Sequence, residues 1–226
     1  MAEHSKACCT VPPVVTNNYE PKGTYEKVGD LNIYIYDVFG LFPSTLQGAD
    51  RLASHLDCLV LVPDFFKGEP LQVSFFPPDT DEKKAKVQAF IEEKAGIEAN
   101  LFVLLQTTEL AKKRWPEVKS WGAFGLCWGG KVAALASGPD SPFQVSGQAH
   151  PGRLAKEDAE AMTIPHICLC SPDEPADIVK AYSDILTAPE SGKVGEVELY
   201  GTMFHGWMGA RADLKNEENV KEFERG

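Results

Sequence analysis

One cysteine, a pair of adjacent acids and one histidine have the types and the order needed for covalent acyl transfer. Cys127 stands in Phe124-Gly125-Leu126-Cys127-Trp128-Gly129-Gly130, between a short apolar run (Trp121 to Phe124) and an alanine-rich run (Val132 to Ser137). Gly-x-Cys-x-Gly in that setting reads as a nucleophile elbow, a strand, a sharp turn and a helix. Such a turn strains the backbone of its central residue, and its flanking positions must be small because side chains there would strike the neighbouring strand or helix. The elbow would hold the sulfur at the mouth of a pocket. It would also put the Trp128 amide at a helix N-terminus, where it can donate to an oxyanion. The competing reading makes Cys127 a small buried hydrophobe and the glycines mere packing contacts.

A thiol nucleophile needs a base, and the base needs a carboxylate on its second nitrogen. Asp173 with Glu174, in Ser171-Pro172-Asp173-Glu174, and then His205, in Gly201-Thr202-Met203-Phe204-His205-Gly206, follow Cys127. Nucleophile, acid, histidine is the chain order of α/β-hydrolases. Spacing does not choose between Asp173 and Glu174, which share one turn. His150, in Ala149-His150-Pro151-Gly152, is the rival base or a pocket-lining group, and chain order favours His205. His166 alternates with Cys168 and Cys170 on one side of a strand; these three are read as core rather than as metal ligands. Cys8 and Cys9 lack a second ligand pair at a zinc spacing and are read as idle thiols. Neither metal nor cofactor is expected.

The elements that must position these groups alternate. Asn32–Tyr36 and Cys58–Val62 read as strands, the second as a continuous apolar run buried on both faces. Helical spacing runs over 46–56, 81–94 and 98–114. Beyond the elbow come strands over 144–150, 164–170 and 194–200, a helix over 176–186 and a closing amphipathic helix over 213–224. Residues 65–79, rich in Phe and Pro, form a loop that either walls an apolar pocket or packs as a lid. This pattern predicts one α/β domain over 25–226, with a mostly parallel doubly wound sheet and helices on both faces. Residues 1–24, with three prolines, are expected as an extended arm. Ligands bind at the carboxyl ends of such strands, and Asp37, Cys127, Asp173 with Glu174, and His205 all fall there.

At 226 residues the chain can bury one substantial core. A net charge of −11 argues against nucleic acid or an anionic membrane as partner. No apolar run resembles a signal peptide or approaches the roughly 20 residues of a membrane span. Six scattered cysteines form no disulfide framework. A cytoplasmic protein with free thiols, a monomer or homodimer acting on a small molecule, is expected.

The Gly125–Gly130 elbow, Asp-Val-Phe-Gly at 37–40, Val-Pro-Asp at 62–64 and the final Phe-His-Gly-Trp at 204–207 resemble the dienelactone hydrolases, particularly fungal members. The resemblance covers most of the chain beyond the arm and implies a single-domain α/β-hydrolase fold. It also implies a Cys-His-Asp triad at Cys127, His205 and Asp173, a thioester intermediate and hydrolysis of a small ester or lactone. The implied oxyanion hole is the amides of Trp128 and Val38. Asp37 takes the place of an acid that gates the thiol, though Asp is shorter than the expected Glu, and a loop hydrogen bond is its alternative role. Phe39, His150, Trp207 and Arg211 are read as pocket residues. Family members hold a substrate carboxylate with arginines. Here no arginine lies between Arg51 and Arg114, which leaves Arg211, with Lys67 and Lys131 as lesser candidates. Thioesters revert readily to alcohols, so activated or cyclic esters suit this chemistry. A non-catalytic binding or redox-responsive protein on the same fold, or a glycoside hydrolase built on Asp173 and Glu174, are the competing functions.

Overall fold

The computed structural model describes residues 12–14, 19–24, 27–28, 31–32, 36–188 and 192–226. Two short strands, β1 (Lys27–Val28) and β2 (Leu31–Asn32), pair antiparallel. Three helices precede the central sheet. α1 (Pro43–Leu56) begins on a proline, whose missing N–H costs nothing in a first turn, and ends where Asp57 turns left-handed at φ 47°. Thr80 Oγ1 caps α2 (Asp81–Glu93) by accepting the Lys83 amide at 3.2 Å, with Asp81 and Glu82 facing the positive end of the dipole. α3 (Ile97–Arg114) ends in Lys112, Lys113 and Arg114, against its negative end.

From there strand and helix alternate: β3 (Gly122–Leu126), α4 (Trp128–Leu135), β4 (Val145–Ala149), α5 (Lys156–Ala161), β5 (His166–Cys170), α6 (Ala176–Thr187), β6 (Gly195–Leu199) and α7 (Glu217–Arg225). The four strands form a parallel sheet in the order β3-β4-β5-β6. Alternation divides their side chains. Gln148, Cys168 and Cys170 point to the face covered by α4, α5 and α6; Leu126, Ala149 and Leu169 point to the other, under Tyr200, Met203 and Trp207. α7 closes that second face through Asn219 Nδ2, which donates to Trp207 O at 3.0 Å, and Phe223 packs onto α1 at Gly48. The parallel α/β sheet with helices on both faces is as expected. No helix among the described residues is long and apolar enough to cross a membrane.

Register brings the strand ends level. Leu126 pairs with Ala149, Ala149 with Leu169, and Cys170 with Leu199. The next residues, Cys127, His150, Ser171 and Tyr200, therefore open onto one edge of the sheet, where the loops to Glu174 and His205 begin.

Three expectations are corrected. Cys58–Val62 is not a strand buried on both faces: among the described residues only Val62 forms a bridge, and Leu59 is 52% exposed. Apolar content alone cannot make a ladder without a partner in register. Of the other expected strand, 32–36, residues 33–35 lie outside the described residues. α5 was missed because Lys156–Ala161 has no apolar period; it is fixed through buried Asp158 and Ala159. The last helix begins at Glu217 rather than 213. Asp213 instead turns back to accept the Lys215 amide, and Asn216 supplies the cap by accepting the Asn219 amide at 3.0 Å. Of the arm, the described residues include Val14, whose amide donates to Ala210 O at 3.0 Å, and Tyr19, whose hydroxyl donates to Asp50 at 2.6 Å.

Candidate active site

Cys127 has φ 51° and ψ −112°, a region that non-glycine residues seldom occupy. The surroundings over-determine it. Its amide donates to Ala149 O at 3.1 Å, and its carbonyl accepts the Gly130 and Gly152 amides at 3.1 and 2.9 Å. A Cβ at residue 125 would lie 2.1 Å from Gly129 O, so only glycine fits before the turn. A Cβ at Gly152 would lie 3.2 Å from Trp128 N, so the loop after β4 presses directly on the elbow. The indole of Trp128 donates to Ala95 O at 2.8 Å and packs between Phe65 and Phe66, at 5.4 and 5.0 Å between ring centroids. This ties α4 to the loop before α3 and to the aromatic loop.

The sulfur of Cys127 lies 3.1 Å from His205 Nε2, and His205 Nδ1 lies 2.7 Å from Glu174 Oε1. Since the carboxylate can only accept, Nδ1 carries the proton and Nε2 is left to face the thiol. The acid beside the imidazole is thus Glu174, correcting the reading that gave this place to Asp173. The turn after β5 explains it. Glu174 folds inward, its side chain 1% exposed, and its second oxygen accepts the Ser171 amide. Asp173 stays on the exposed side of the turn, and its carboxylate accepts the His205 backbone amide at 2.8 Å rather than the ring. The extra methylene of Glu spans the distance to the ring. Two adjacent acids therefore serve one histidine, the first through its backbone and the second through its ring.

Asp37 also departs from expectation. It is 3% exposed, and its two oxygens accept the amides of Phe39 and Ala210, each at 2.8 Å. The loop-bonding role is the observed one; neither bond goes to the thiol. Burial pushes the Asp37 carboxyl up, while the Ala210 and Phe39 amides and the charges of Arg211 and His205 pull it down.

In front of the sulfur lies a cavity of about 60 Å³. Phe39, Leu71, Phe76 and Ile97 give it apolar walls, and Val38, Trp128 and His205 border it with Cys127. The aromatic loop divides its labour: Leu71 and Phe76 line the cavity, while Phe65 and Phe66 brace the elbow. Lys131, Arg153 and Arg211 are also among its lining residues. Arg211 is not a solvated charge but is 3% exposed; it donates to His205 O at 3.2 Å and lies 5.8 Å from the centre of the Phe39 ring. Lys131 pairs with buried Asp158 at 2.6 Å. Burial pushes the Asp158 carboxyl up, and Lys131 pulls it back.

Arg153, at φ 55° in the loop after β4, is a lining residue that sequence reasoning passed over. Its position three residues beyond His150, at a strand end, was the available signal. His150 is fully buried, with its ring 5.3 Å from that of His205 and set edge to face. Trp207 does not line the cavity: it is fully buried in the opposite face, stacked on Tyr200 at 4.5 Å. His166 is core, as expected, with Nδ1 2.7 Å from Ser146 Oγ and Nε2 3.1 Å from Gln148 Nε2.

No established family profile matches the chain. Two curated relatives, both uncharacterised AIM2 family proteins of Schizosaccharomyces pombe, are 34% identical over 191 residues (84% of this chain, 76% of theirs) and 32% identical over 223 residues (92% and 89%). Among solved structures, a putative dienelactone hydrolase from Klebsiella pneumoniae matches with a TM-score of 0.65 at 15% identity, covering 85% of this chain and 82% of its own. A dienelactone hydrolase from Anabaena variabilis matches with a TM-score of 0.58 at 12% identity, covering 89% and 92%. A dienelactone hydrolase-like promiscuous phosphotriesterase from metagenomic libraries matches with a TM-score of 0.54 at 20% identity, covering 77% and 70%. At these identities the likeness is one of fold.

Proposed function

The chain belongs to the AIM2 family, and we propose that it is a thiol hydrolase of the fungal dienelactone hydrolase type, cleaving small activated esters or lactones. The observation that carries this reading is the unbroken line from Glu174 through His205 to Cys127, at 2.7 and 3.1 Å, ending at the cavity.

In the proposed reaction Cys127 passes its proton to His205 Nε2 and its sulfur attacks the substrate carbonyl carbon. The Glu174 carboxylate stabilises the imidazolium and keeps it oriented. The amides of Trp128, at the start of α4, and Val38, at the cavity wall, receive the oxyanion. The tetrahedral adduct collapses and the C–O bond to the leaving group breaks. The leaving alkoxide takes the proton from His205, and a thioester remains on Cys127. A water deprotonated by His205 then attacks the thioester, and the carboxylic acid departs as the thiol is restored. Nucleophile, base and acid all come from the chain, so the cycle calls for no cofactor.

A thiolate is itself a good leaving group, so the first adduct returns to substrate unless the alcohol is stabilised or tethered. Activated esters and lactones meet that condition. A cavity of about 60 Å³ has room for about four waters and suits a small acyl group. We place the protein in the cytoplasm, acting as a monomer or homodimer on a small molecule.

The test is hydrolysis of an activated phenyl ester by wild type and by Cys127→Ala, with intact-mass spectrometry of the quenched reaction. Loss of turnover in the variant, with an acyl adduct on Cys127 in the wild type, is expected. Equal rates in both proteins and no adduct would overturn the reading.

A further inference from the structure

Asp37 hydrogen-bonds across two loops that also pack together, Ala210 and Arg211 lying against Phe39. Its Oδ1 accepts the Phe39 amide and its carbonyl accepts the Gly40 amide at 3.0 Å, so residues 37–40 fold as a tight turn around the peptide that carries the Val38 amide. Its Oδ2 accepts the Ala210 amide, in the loop that runs from His205 to Arg211. Both loops are braced from outside. Leu71 N donates to Val38 O at 3.0 Å, and Ser44 Oγ, on α1, donates to Gly209 O at 2.8 Å. The approach is close enough to fix residue 209, where a Cβ would lie 2.4 Å from Asp37 Oδ2. The charged groups that act on this carboxylate are His205 and Arg211, from the loop it holds.

We infer that Asp37 is a positioning residue, which holds the Val38 amide at a fixed place relative to the histidine loop so that this amide can serve the oxyanion. The inference rests on the thiol-hydrolase reading, in which Val38 supplies the second oxyanion donor. An oxyanion donor acts only when it lies 2.7–3.1 Å from the developing charge, and losing one costs about 10²–10³ in kcat. A carboxylate that accepts from both loops sets that distance without touching substrate.

Asp37→Asn separates this role from thiol gating and from simple support. The amide oxygen can keep one loop, but the amide NH2 then faces the N–H of the other, donor against donor. With an activated phenyl ester, kcat should fall about 10- to 100-fold while KM stays within about twofold, the pattern of an interaction made only in the transition state. Alkylation of Cys127 by iodoacetamide, a displacement that forms no oxyanion, should keep the wild-type rate and pH profile.

An unchanged kcat overturns the inference. So does a shifted alkylation profile, which would mean that Asp37 acts on the thiol. If wild type itself shows no turnover that depends on Cys127, the functional reading fails and this inference with it. Wild-type turnover with an indifferent Asp37→Asn defeats the inference alone. Should Asp37→Asn not fold, Ser44→Ala loosens the same loop from α1. A smaller loss of kcat with unchanged alkylation supports the inference, and an unchanged kcat overturns it.

Discussion

His166 and His205 are buried to nearly the same degree, at 1% and 2% exposure, and each ring has a partner at both nitrogens. The partners differ. His205 lies between a carboxylate and a thiol, Glu174 and Cys127. Its ring can take a proton from the sulfur and have the resulting charge answered at 2.7 Å. His166 lies between a hydroxyl and an amide, Ser146 and Gln148, with the phenol of Tyr182 beyond at 2.9 Å from Gln148. Neither partner answers a charge, and burial pushes its pKa down to about 4. Burial therefore does not mark a functional histidine; what marks it is whether the neighbours stabilise the charged ring.

The comparison breaks most sharply at the acid. Glu174→Gln keeps shape and a hydrogen bond but removes the charge that holds the imidazolium, and it lets the ring adopt the wrong tautomer. In the serine-protease triad the equivalent change costs about 10⁴ in kcat. A loss of about 10²–10⁴ in ester turnover is expected here, with KM little altered. Asp173→Asn, whose native carboxylate bonds the His205 backbone rather than the ring, should cost less than about tenfold. Steady-state kinetics of the two variants decide between the acids. A larger loss at Asp173 would return the triad to Cys-His-Asp.

The sequence made the elbow legible because close packing demands specific residue types there: glycine at 125, small residues at 129 and 130, and a reactive group between. Chain order made His205 legible for a similar reason, since the strand order of the fold dictates which loop arrives last. The choice between Asp173 and Glu174 was not legible. It turns on which of two adjacent side chains folds inward, and that is set by the Glu174 bond to the Ser171 amide, a contact that spacing does not encode. Trp207 went astray likewise. It follows His205 by two residues, yet the left-handed Gly206, at φ 100°, turns the chain so that the indole enters the opposite face. Arg153 and Arg211 were hard to weigh because an arginine reads as surface until a cavity is seen beside it.

The core histidine yields a pH test with the opposite meaning. His166 titrates at about 4 in the folded chain against 6.5 when unfolded, so between those values the unfolded state binds the extra proton. Its contribution is intact above pH 6.5 and is lost as pH falls toward 4. At 1.36 kcal/mol per unit the loss approaches about 3 kcal/mol. Urea unfolding of wild type at pH 7 and near pH 4.5 should show this fall. His166→Gln, which cannot titrate, should show a fall smaller by about that amount, while its kcat at pH 7 stays near wild type. An identical pH dependence in the two proteins would mean that His166 is charged in the fold, and the contrast with His205 would collapse.

The smallest expected effect sharpens the same contrast. Ser146 Oγ lies 2.7 Å from His166 Nδ1 and 2.7 Å from Ser137 Oγ, whose residue follows α4, so it joins the histidine to the helix that starts at the elbow. Gln148 Nε2 can only donate, which leaves Nε2 of His166 as acceptor and puts the ring proton on Nδ1, facing Ser146. Ser146→Ala strands that buried N–H and should cost about 1–2 kcal/mol of stability. The reacting groups lie at the far ends of the strands, held by Glu174, Asp37 and the elbow's own backbone bonds, so kcat should stay within about twofold of wild type. Thermal unfolding and ester kinetics on one preparation measure both. A loss of kcat beyond that range at full folding would mean that the Ser137–Ser146–His166 line supports the elbow, and that the core histidine, though neutral at pH 7, takes part in holding the catalytic geometry.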